Sequence, residues 1–351
     1  AMKKVGGDVS EKLFLLPADF MKERWTGRRT KADEAHELSG INDIAYTRDF
    51  EVYFGKAVSE CENICLDIDD TREERDYTEA HRFARRMKEE YPAKKIVNIR
   101  PALAEIRTIK ADCEIDAMRE AVRITGEGIK AMMHGVRDGM KEYEIKGLYD
   151  SALLANGCLE PAFPSIISAG QNNFCIHYYA YSGTAHTGDM VLCDVGACYD
   201  FIGCDISRGF PLDGKFSDRQ RKLYEAAYAT SQHLFDIIKP GYLMDEVDRE
   251  AQRFCYTYLH DYGLVDKPEH IGKLMWHGGS HHVGFDTHDI VKRPEIIAPG
   301  MVFCVDIGIY CEEWGIGFRL EDNCHVTENG CENLGIHVPR TIEEIENEMR
   351  R

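Results

Sequence analysis

Apolar residues recur at helical spacing through the middle of the chain, which predicts long amphipathic helices. The clearest helix covers residues 111–134. Its apolar positions are Ile115, Met118, Ala121, Val122, Ile129 and Met132. Further helices are predicted over residues 141–156 and 244–261, and residues 217–220 have the sequence of a capping box that begins another.

Strand-like apolar runs lie between and after these helices. They cover residues 190–197, 201–209, 302–310 and 317–327. Helix pairs alternating with runs that suit antiparallel pairing predict an α+β domain. In the first third, a strand over 11–16, a helix over 75–90 and a strand over 95–99 predict a small α/β domain. We therefore expect two domains, residues 1–105 and 106–351.

Two aspartates lie inside apolar runs that flank a short break at Tyr199-Asp200. If that dipeptide is a two-residue hairpin loop, Asp194 and Asp205 face each other directly across the hairpin. Like charges opposite each other on a sheet repel, and apolar surroundings make the repulsion worse. A bound cation removes that cost. Exposed loop aspartates are commoner in general, but they fit poorly with these apolar neighbours, so the pattern favours a cation site.

Residues 277–289 contain four histidines with interleaved glycines. Neutral imidazole is the commonest metal-binding side chain, and glycines let the backbone pass close to a site. A single histidine would more often be structural. The cluster therefore indicates a site, without showing which histidine is a ligand.

Two later runs carry further acids. Asp306 lies within an apolar run, where an acid needs a partner, and strand alternation places Arg319, Glu321 and Asn323 on one face. The combined candidate ligand set is Asp194, Asp205, His281, Asp306 and Glu321. Four carboxylates and one imidazole suit two divalent ions, first of all Mn²⁺, with Co²⁺, Zn²⁺ or Fe²⁺ as alternatives. We expect none of the thirteen cysteines at a ligand position.

Composition narrows the class of protein. The formal net charge is −18, which disfavours nucleic acid and anionic membranes as partners. The chain is 44% hydrophobic and 30% charged, as in ordinary globular proteins, and it has no apolar run long enough for a transmembrane helix. The first residues lack the apolar core of a secretion signal. Thirteen scattered cysteines then suggest free thiols and a cytoplasmic location.

These segments, in this order, resemble the pita-bread metallopeptidase family, which includes Xaa-Pro aminopeptidases, prolidases and methionine aminopeptidases. The resemblance is carried by CDVGACYDFIGCDISRGFP, HGGSHHVGFDTHD, GMVFCVDIGIY and GIGFRLEDN. It is strongest to the bacterial Xaa-Pro aminopeptidases (aminopeptidase P) and next to prolidases. Residues 11–45, with WTGRR, are similar to the N-terminal domain of these enzymes. That domain normally begins further upstream, so we expect it to be incomplete here.

The resemblance implies a role for each candidate ligand. Asp194 would bind one metal ion, and Asp205 and Glu321 would bridge both ions. His281 and Asp306 would bind the second ion. Asp306 would also take the proton of the attacking water.

The resemblance also implies residues around the substrate. His177 would lie at the substrate, and His288 would contact the scissile carbonyl or the leaving group. His277 and Tyr310 would line a pocket for the proline ring. Arg319 would lie beside the bridging glutamate and support catalysis.

One departure from the family bears on activity. The family usually has Glu-Pro where this chain has Asp306-Ile307, and aspartate is one methylene shorter. The expected activity is that of an Xaa-Pro aminopeptidase acting on peptides. The alternatives are a prolidase and a weakly metallated, non-catalytic homologue, whereas the retained ligands argue against a metal-free creatinase. We also expect a homo-oligomer, either a dimer or a tetramer.

Overall fold

The structure is a computed structural model that describes residues 1–69, 73, 77–292 and 296–350. The chain divides into two compact units, Ala1–Ala102 and Leu103–Arg351. The domain boundary expected between residues 105 and 106 stays a prediction.

Short strands and helices make up the first unit. Its strands are β1 (Met2–Val5), β2 (Asp8–Glu11), β3 (Leu13–Leu15), β4 (Ile44–Tyr46), β5 (Asn63–Leu66) and β6 (Lys95–Asn98). Its helices are α1 (Phe20–Thr26), α2 (Ala32–Ser39), α3 (Phe50–Glu60) and α4 (Glu79–Glu90), and α5 (Arg100–Thr108) contains the division between the units. β3 pairs in parallel with β4, and β5 with β6, so helices connect the paired strands. Residues 75 and 76 of the predicted 75–90 helix lie outside the described residues.

The second unit contains longer elements. Its strands are β7 (Ile166–Ala169), β8 (Met190–Val195), β9 (Cys198–Tyr199), β10 (Ile202–Gly203), β11 (Ile206–Pro211), β12 (Val302–Cys311), β13 (Ile316–Val326) and β14 (Cys331–Asn333). Its helices are α6 (Asp112–Gly135), α7 (Glu142–Ala155), α8 (Asp218–Ile237), α9 (Met244–Asp261) and α10 (Ile342–Met349).

One antiparallel sheet organises the second unit. Its strand order is β12-β13-β11-β8-β7, and β14 pairs with the last three residues of β13, Cys324, His325 and Val326. α8 packs on β12 and β13, and α6 packs near β9, β10 and β11, so apolar helix faces and the sheet form one core. This arrangement confirms the predicted α+β class. Among the described residues, no helix is both long and apolar enough to cross a membrane.

The predicted helix ends agree with local chemistry. The Ser217 and Gln220 side chains each accept a hydrogen bond from the other residue's backbone N–H, at 3.4 and 2.8 Å, and α8 begins there. Gly157 follows the end of α7 with φ +80°, a left-handed conformation that favours glycine. These local signals therefore position the helices that cover the sheet.

The hairpin between β8 and β11 differs in register from the prediction. Its loop is Asp200-Phe201, whose φ angles of +46° and +68° are typical of a type I′ turn. Asp194 consequently pairs with Ser207 and not with Asp205. The pairing has shifted by two residues, so alternation still places Asp205 on the same face as Asp194.

Phe201→Gly should stabilise the second unit. The Phe201 side chain is 80% exposed, so little packing is lost when glycine relieves the left-handed strain. We expect a gain of about 0.5–1 kcal/mol in the free energy of unfolding, after the entropic cost of glycine is subtracted. Urea unfolding followed by circular dichroism measures it. Tyr199→Gly, a neighbouring change in extended backbone, is the control and should destabilise. A less stable Phe201→Gly variant would contradict the observed turn.

Candidate active site

Four neighbouring strands place one row of polar residues across the sheet. Asp194 on β8 pairs with Ser207 on β11, and Ser207 pairs with Glu321 on β13. Glu321 in turn pairs with Asp306 on β12. Directly paired residues have their Cβ atoms about 5 Å apart on the same face. The row therefore gathers three carboxylates on one side of the sheet.

Two further side chains join this row from less regular backbone. Asp205 lies just before β11. The Asp205 backbone N–H donates to Asn323 Oδ1 at 3.0 Å, and Asn323 Nδ2 donates to the Asp205 carbonyl at 2.9 Å. His281 Nε2 lies 3.7 Å from Asp205 Oδ2 and 3.7 Å from Glu321 Oε1. The structure thus brings all five candidate ligands to one region. Their individual roles as ligands stay predictions.

Cys304 also lies in this region, which the sequence analysis missed. Asp205, His281, Cys304 and Glu321 each offer one ligand atom within 4.8 Å of the others. The expectation that no cysteine occupies a ligand position stays a prediction, although Cys304 lies within reach of three candidate ligands. Cys304 precedes Asp306 by two residues on β12, so strand alternation could have placed it on this face.

The buried carboxylates fit a cation. In the part of the chain that the structure describes, Asp194 Oδ1, Asp205 Oδ1 and Asp306 Oδ1 are buried without a hydrogen-bond partner. Burial raises the pKa of Asp205 and of Asp306 well above the usual range, and the charge of Glu321 raises both further. A divalent cation would satisfy these oxygens and remove the mutual repulsion.

His281 and Glu321 stabilise each other's charged form. Burial lowers the pKa of His281, but its contact with Glu321 outweighs burial, and the pKa is raised. Burial likewise raises the pKa of Glu321, but His281 and a 2.7 Å hydrogen bond from Ser207 Oγ outweigh it, and the pKa is lowered. Without a cation, the positive charge of His281 therefore offsets the negative charge of Glu321.

Arg319 links the carboxylates to an aromatic wall. Its Nη2 donates to Asp194 Oδ2 at 2.7 Å and its Nη1 donates to the Tyr310 hydroxyl at 2.8 Å. The same hydroxyl is 3.0 Å from His277 Nε2. Trp276, which the sequence analysis did not single out, stacks on Tyr310 with ring centroids 4.5 Å apart. Its only signal in the sequence is its place beside His277.

The two remaining candidate histidines differ in position. The His288 ring lies 4.3 Å from the His281 ring, centroid to centroid, and burial together with the His281 charge lowers its pKa. His177 is exposed and stacks with Tyr179. The carbonyl of Ile176 accepts a 3.2 Å hydrogen bond from Arg319 Nη2, which fixes the His177 segment beside the site.

Close packing fixes the histidine segment over β12. A Cβ added at Gly279 would lie 2.3 Å from Asp306 Cβ, so only glycine fits there. Asp248 of α9 holds the same turn, because its Oδ1 accepts from Ser280 Oγ at 2.7 Å. Asp248 is one of several acids along its helix, and nothing in the sequence distinguishes it from the others.

Comparison with known proteins identifies the family. The profile described as Metallopeptidase family M24 matches residues 116–328. The chain belongs to metallopeptidase family M24. A second profile, Aminopeptidase P, N-terminal domain, matches residues 2–65. The M24 match includes all five candidate ligands and confirms the resemblance seen in the sequence.

Individual M24 relatives agree with this assignment. An Xaa-Pro aminopeptidase of Haemophilus influenzae is 29% identical over 96% of this chain and 81% of its own length. A human Xaa-Pro dipeptidase is 29% identical over a match that covers 71% of this chain and 61% of that relative's own length. A solved Bacillus anthracis structure assigned to aminopeptidase P is 34% identical, with a TM-score of 0.95, covering 99% of this chain and 84% of that one.

Gly279→Ala should weaken metal binding more than it weakens the fold. The added methyl group must displace either the histidine turn or Asp306. Such overpacking costs on the order of 1–3 kcal/mol, and we expect most of this cost to appear as lost free energy of metal binding. Divalent metal titration by calorimetry and thermal unfolding measure the two effects. Gly272→Ala is the control, because a Cβ at Gly272 meets nothing within 4 Å. Equal metal affinity in the two variants would contradict the packing argument.

Proposed function

We propose that the chain is an Xaa-Pro aminopeptidase, which releases the N-terminal residue from peptides whose second residue is proline. The observation that carries the proposal is the cross-strand row Asp194, Glu321 and Asp306, joined by Asp205 and His281. The name of the Haemophilus relative supports the choice of substrate.

The same five side chains would hold two divalent ions, for which we propose Mn²⁺, with Co²⁺, Zn²⁺ or Fe²⁺ as alternatives. Two such ions would supply an activated water and electrostatic stabilisation of the developing oxyanion. Arg319 would keep Asp194 oriented through its 2.7 Å hydrogen bond, and Ser207 would orient Glu321 in the same way.

Asp306 and His288 are the proposed proton-transfer groups. Asp306 would accept the proton of the attacking water, since its Oδ1 is buried without a partner among the described residues. His288 would donate a hydrogen bond to the scissile carbonyl or protonate the leaving nitrogen. His177, at the exposed side, would contact the substrate.

The aromatic residues Tyr310 and Trp276 support a pocket for a proline ring. A peptide bond before proline has no N–H, so an enzyme that cleaves it needs another feature to recognise. Tyr310 is fully buried, and its contacts with Arg319, His277 and the half-buried Trp276 fix it behind the site. We propose that Trp276 and His277, backed by Tyr310, select the ring.

A prolidase, which cleaves only dipeptides, is the second candidate, because the human relative is named Xaa-Pro dipeptidase. Metal-loaded protein should be assayed with an Xaa-Pro dipeptide, longer Xaa-Pro peptides and matched Xaa-Ala peptides. An aminopeptidase prefers the longer Xaa-Pro peptides, and a prolidase cleaves only the dipeptide. Equal cleavage of the Xaa-Ala peptides would contradict the proline pocket. Metal-bound protein that cleaves none of them would be a non-catalytic homologue.

The wider organisation also remains a proposal. We propose domains at residues 1–105 and 106–351, a homo-oligomer and a cytoplasmic location. The thirteen cysteines are free thiols in the structure, as suits a reducing compartment. Light scattering after size-exclusion chromatography tests the oligomer.

Asp205→Asn should abolish hydrolysis and leave the fold intact, because an amide cannot balance the charge of two cations. In the metal-free chain the raised pKa of Asp205 makes its ionisation unfavourable, so stability falls as pH rises above about 4. The metal-free variant should therefore be at least as stable as metal-free wild type at pH 7, and this difference should vanish in acid.

Urea unfolding in chelator at both pH values, with a peptide assay, checks this prediction. Asp200→Asn at the exposed hairpin tip is the matched control and should keep full activity. Normal hydrolysis by Asp205→Asn would refute its assignment as a bridging ligand.

Asp306→Glu should raise Mn²⁺ affinity or kcat on an Xaa-Pro peptide. The added methylene would extend the carboxylate from β12 towards the other candidate ligands. Kinetics and metal titration on the single variant measure both effects, with Asp306→Asn as the inactive reference. Weaker metal binding and lower activity would show instead that the site has repacked around aspartate, since overpacking costs on the order of 1–3 kcal/mol.

A further inference from the structure

Cys304 is fully buried among the candidate ligands, and the proposed reaction gives it no role. Its Sγ belongs to the group in which the ligand atoms of Asp205, His281, Cys304 and Glu321 lie within 4.8 Å of one another. Asp306 is not a member of that group. Its Oδ2 lies 3.5 Å from His277 Nδ1 instead. On β12, the side chain that reaches the group is therefore a thiol.

The backbone fixes the thiol beside the imidazole. The Cys304 N–H donates to the His281 carbonyl at 2.8 Å, which joins β12 to the histidine segment at this residue. Asn323, the β13 partner of Cys304, donates from Nδ2 to Sγ at 3.4 Å. Asn323 also holds the backbone of Asp205, so one amide side chain orients two members of the group.

A second observation indicates a ligand at the same place. Asp205 is 4% exposed, and among the described residues its Oδ1 is buried with no hydrogen-bond partner. A buried carboxylate oxygen without a partner is costly unless a cation meets it. Two carboxylates, an imidazole and a thiol around one point form a ligand set with one soft donor.

We propose that Cys304 is a thiolate ligand of the ion held by Asp205, His281 and Glu321, and that it gives this position a preference for Zn²⁺ or Co²⁺ over Mn²⁺. Sulfur favours zinc and cobalt, whereas oxygen-only sites suit manganese. On binding, the S–H bond breaks, a sulfur–metal bond forms and the proton leaves to solvent. The inference rests on the metal site of the proposed function and specifies the metal class at one of its two positions.

Cobalt spectroscopy of the full chain tests the ligand directly. Titration of metal-free protein with Co²⁺ should produce a thiolate-to-cobalt charge-transfer band in the near ultraviolet, and Cys304→Ala should lose it. Cys193→Ala is the matched control, because Cys193 is equally buried beside Asp194 but points to the other face and donates to the Arg208 carbonyl. That control should keep the band.

Metal competition gives a second readout. Cys304→Ser keeps the side-chain size and replaces sulfur with oxygen. It should lose roughly tenfold or more in Zn²⁺ affinity, while its Mn²⁺ affinity changes much less. Retained Mn²⁺ binding also shows that the variant has folded. An equal loss of affinity for Zn²⁺ and Mn²⁺ would contradict the proposal that Cys304 is a thiolate ligand.

The outcomes separate this inference from the proposed function. A wild-type band that disappears only in the Cys304 variants supports the inference, even if no Xaa-Pro peptide is cleaved. No band in wild type, or a band that survives Cys304→Ala, overturns it. Xaa-Pro hydrolysis by the same preparation would then leave the proposed function standing.

Discussion

Repulsion among buried acids is the constraint on which the site depends. Pairing across β8, β11, β13 and β12 places Asp194, Glu321 and Asp306 in one row, and Asp205 adds a fourth carboxylate. In the described part of the chain, the cationic groups that contact these acids are Arg319, which Asp194 and Tyr310 already engage, and His281. They do not balance four ionised carboxylates, so the pKa values of Asp205 and Asp306 are raised in the metal-free chain. Divalent ions that bind only the folded chain would stabilise it.

Local signals made much of the fold predictable. Helical spacing located α6, and the capping box located the start of α8, because both depend on residues close together in the chain. Strand alternation placed Arg319, Glu321 and Asn323 on one face, as observed. The hairpin register was not predictable in the same way. It depends on a left-handed φ at Phe201, and phenylalanine does not signal that conformation.

Contacts between distant segments explain what the sequence missed. Alternation puts Cys304 on the face of Asp306, but only folding brings it to Asp205 and His281. The histidine segment likewise did not show which ring is a ligand. In the structure, the His281 ring lies beside Asp205 and Glu321. The His282 ring lies 5.9 Å from that of Phe303, centroid to centroid, and burial lowers its pKa to about 4.

The central claim is that these acids hold the ions with which an Xaa-Pro bond is cleaved. The most direct test is stepwise metal reconstitution of the chelated full chain, with bound metal counted by elemental analysis beside Xaa-Pro hydrolysis in each sample. We expect two ions per chain, with no hydrolysis before metal is added and the full rate of hydrolysis once both ions are bound. Hydrolysis at an unchanged rate in the fully chelated chain would contradict it.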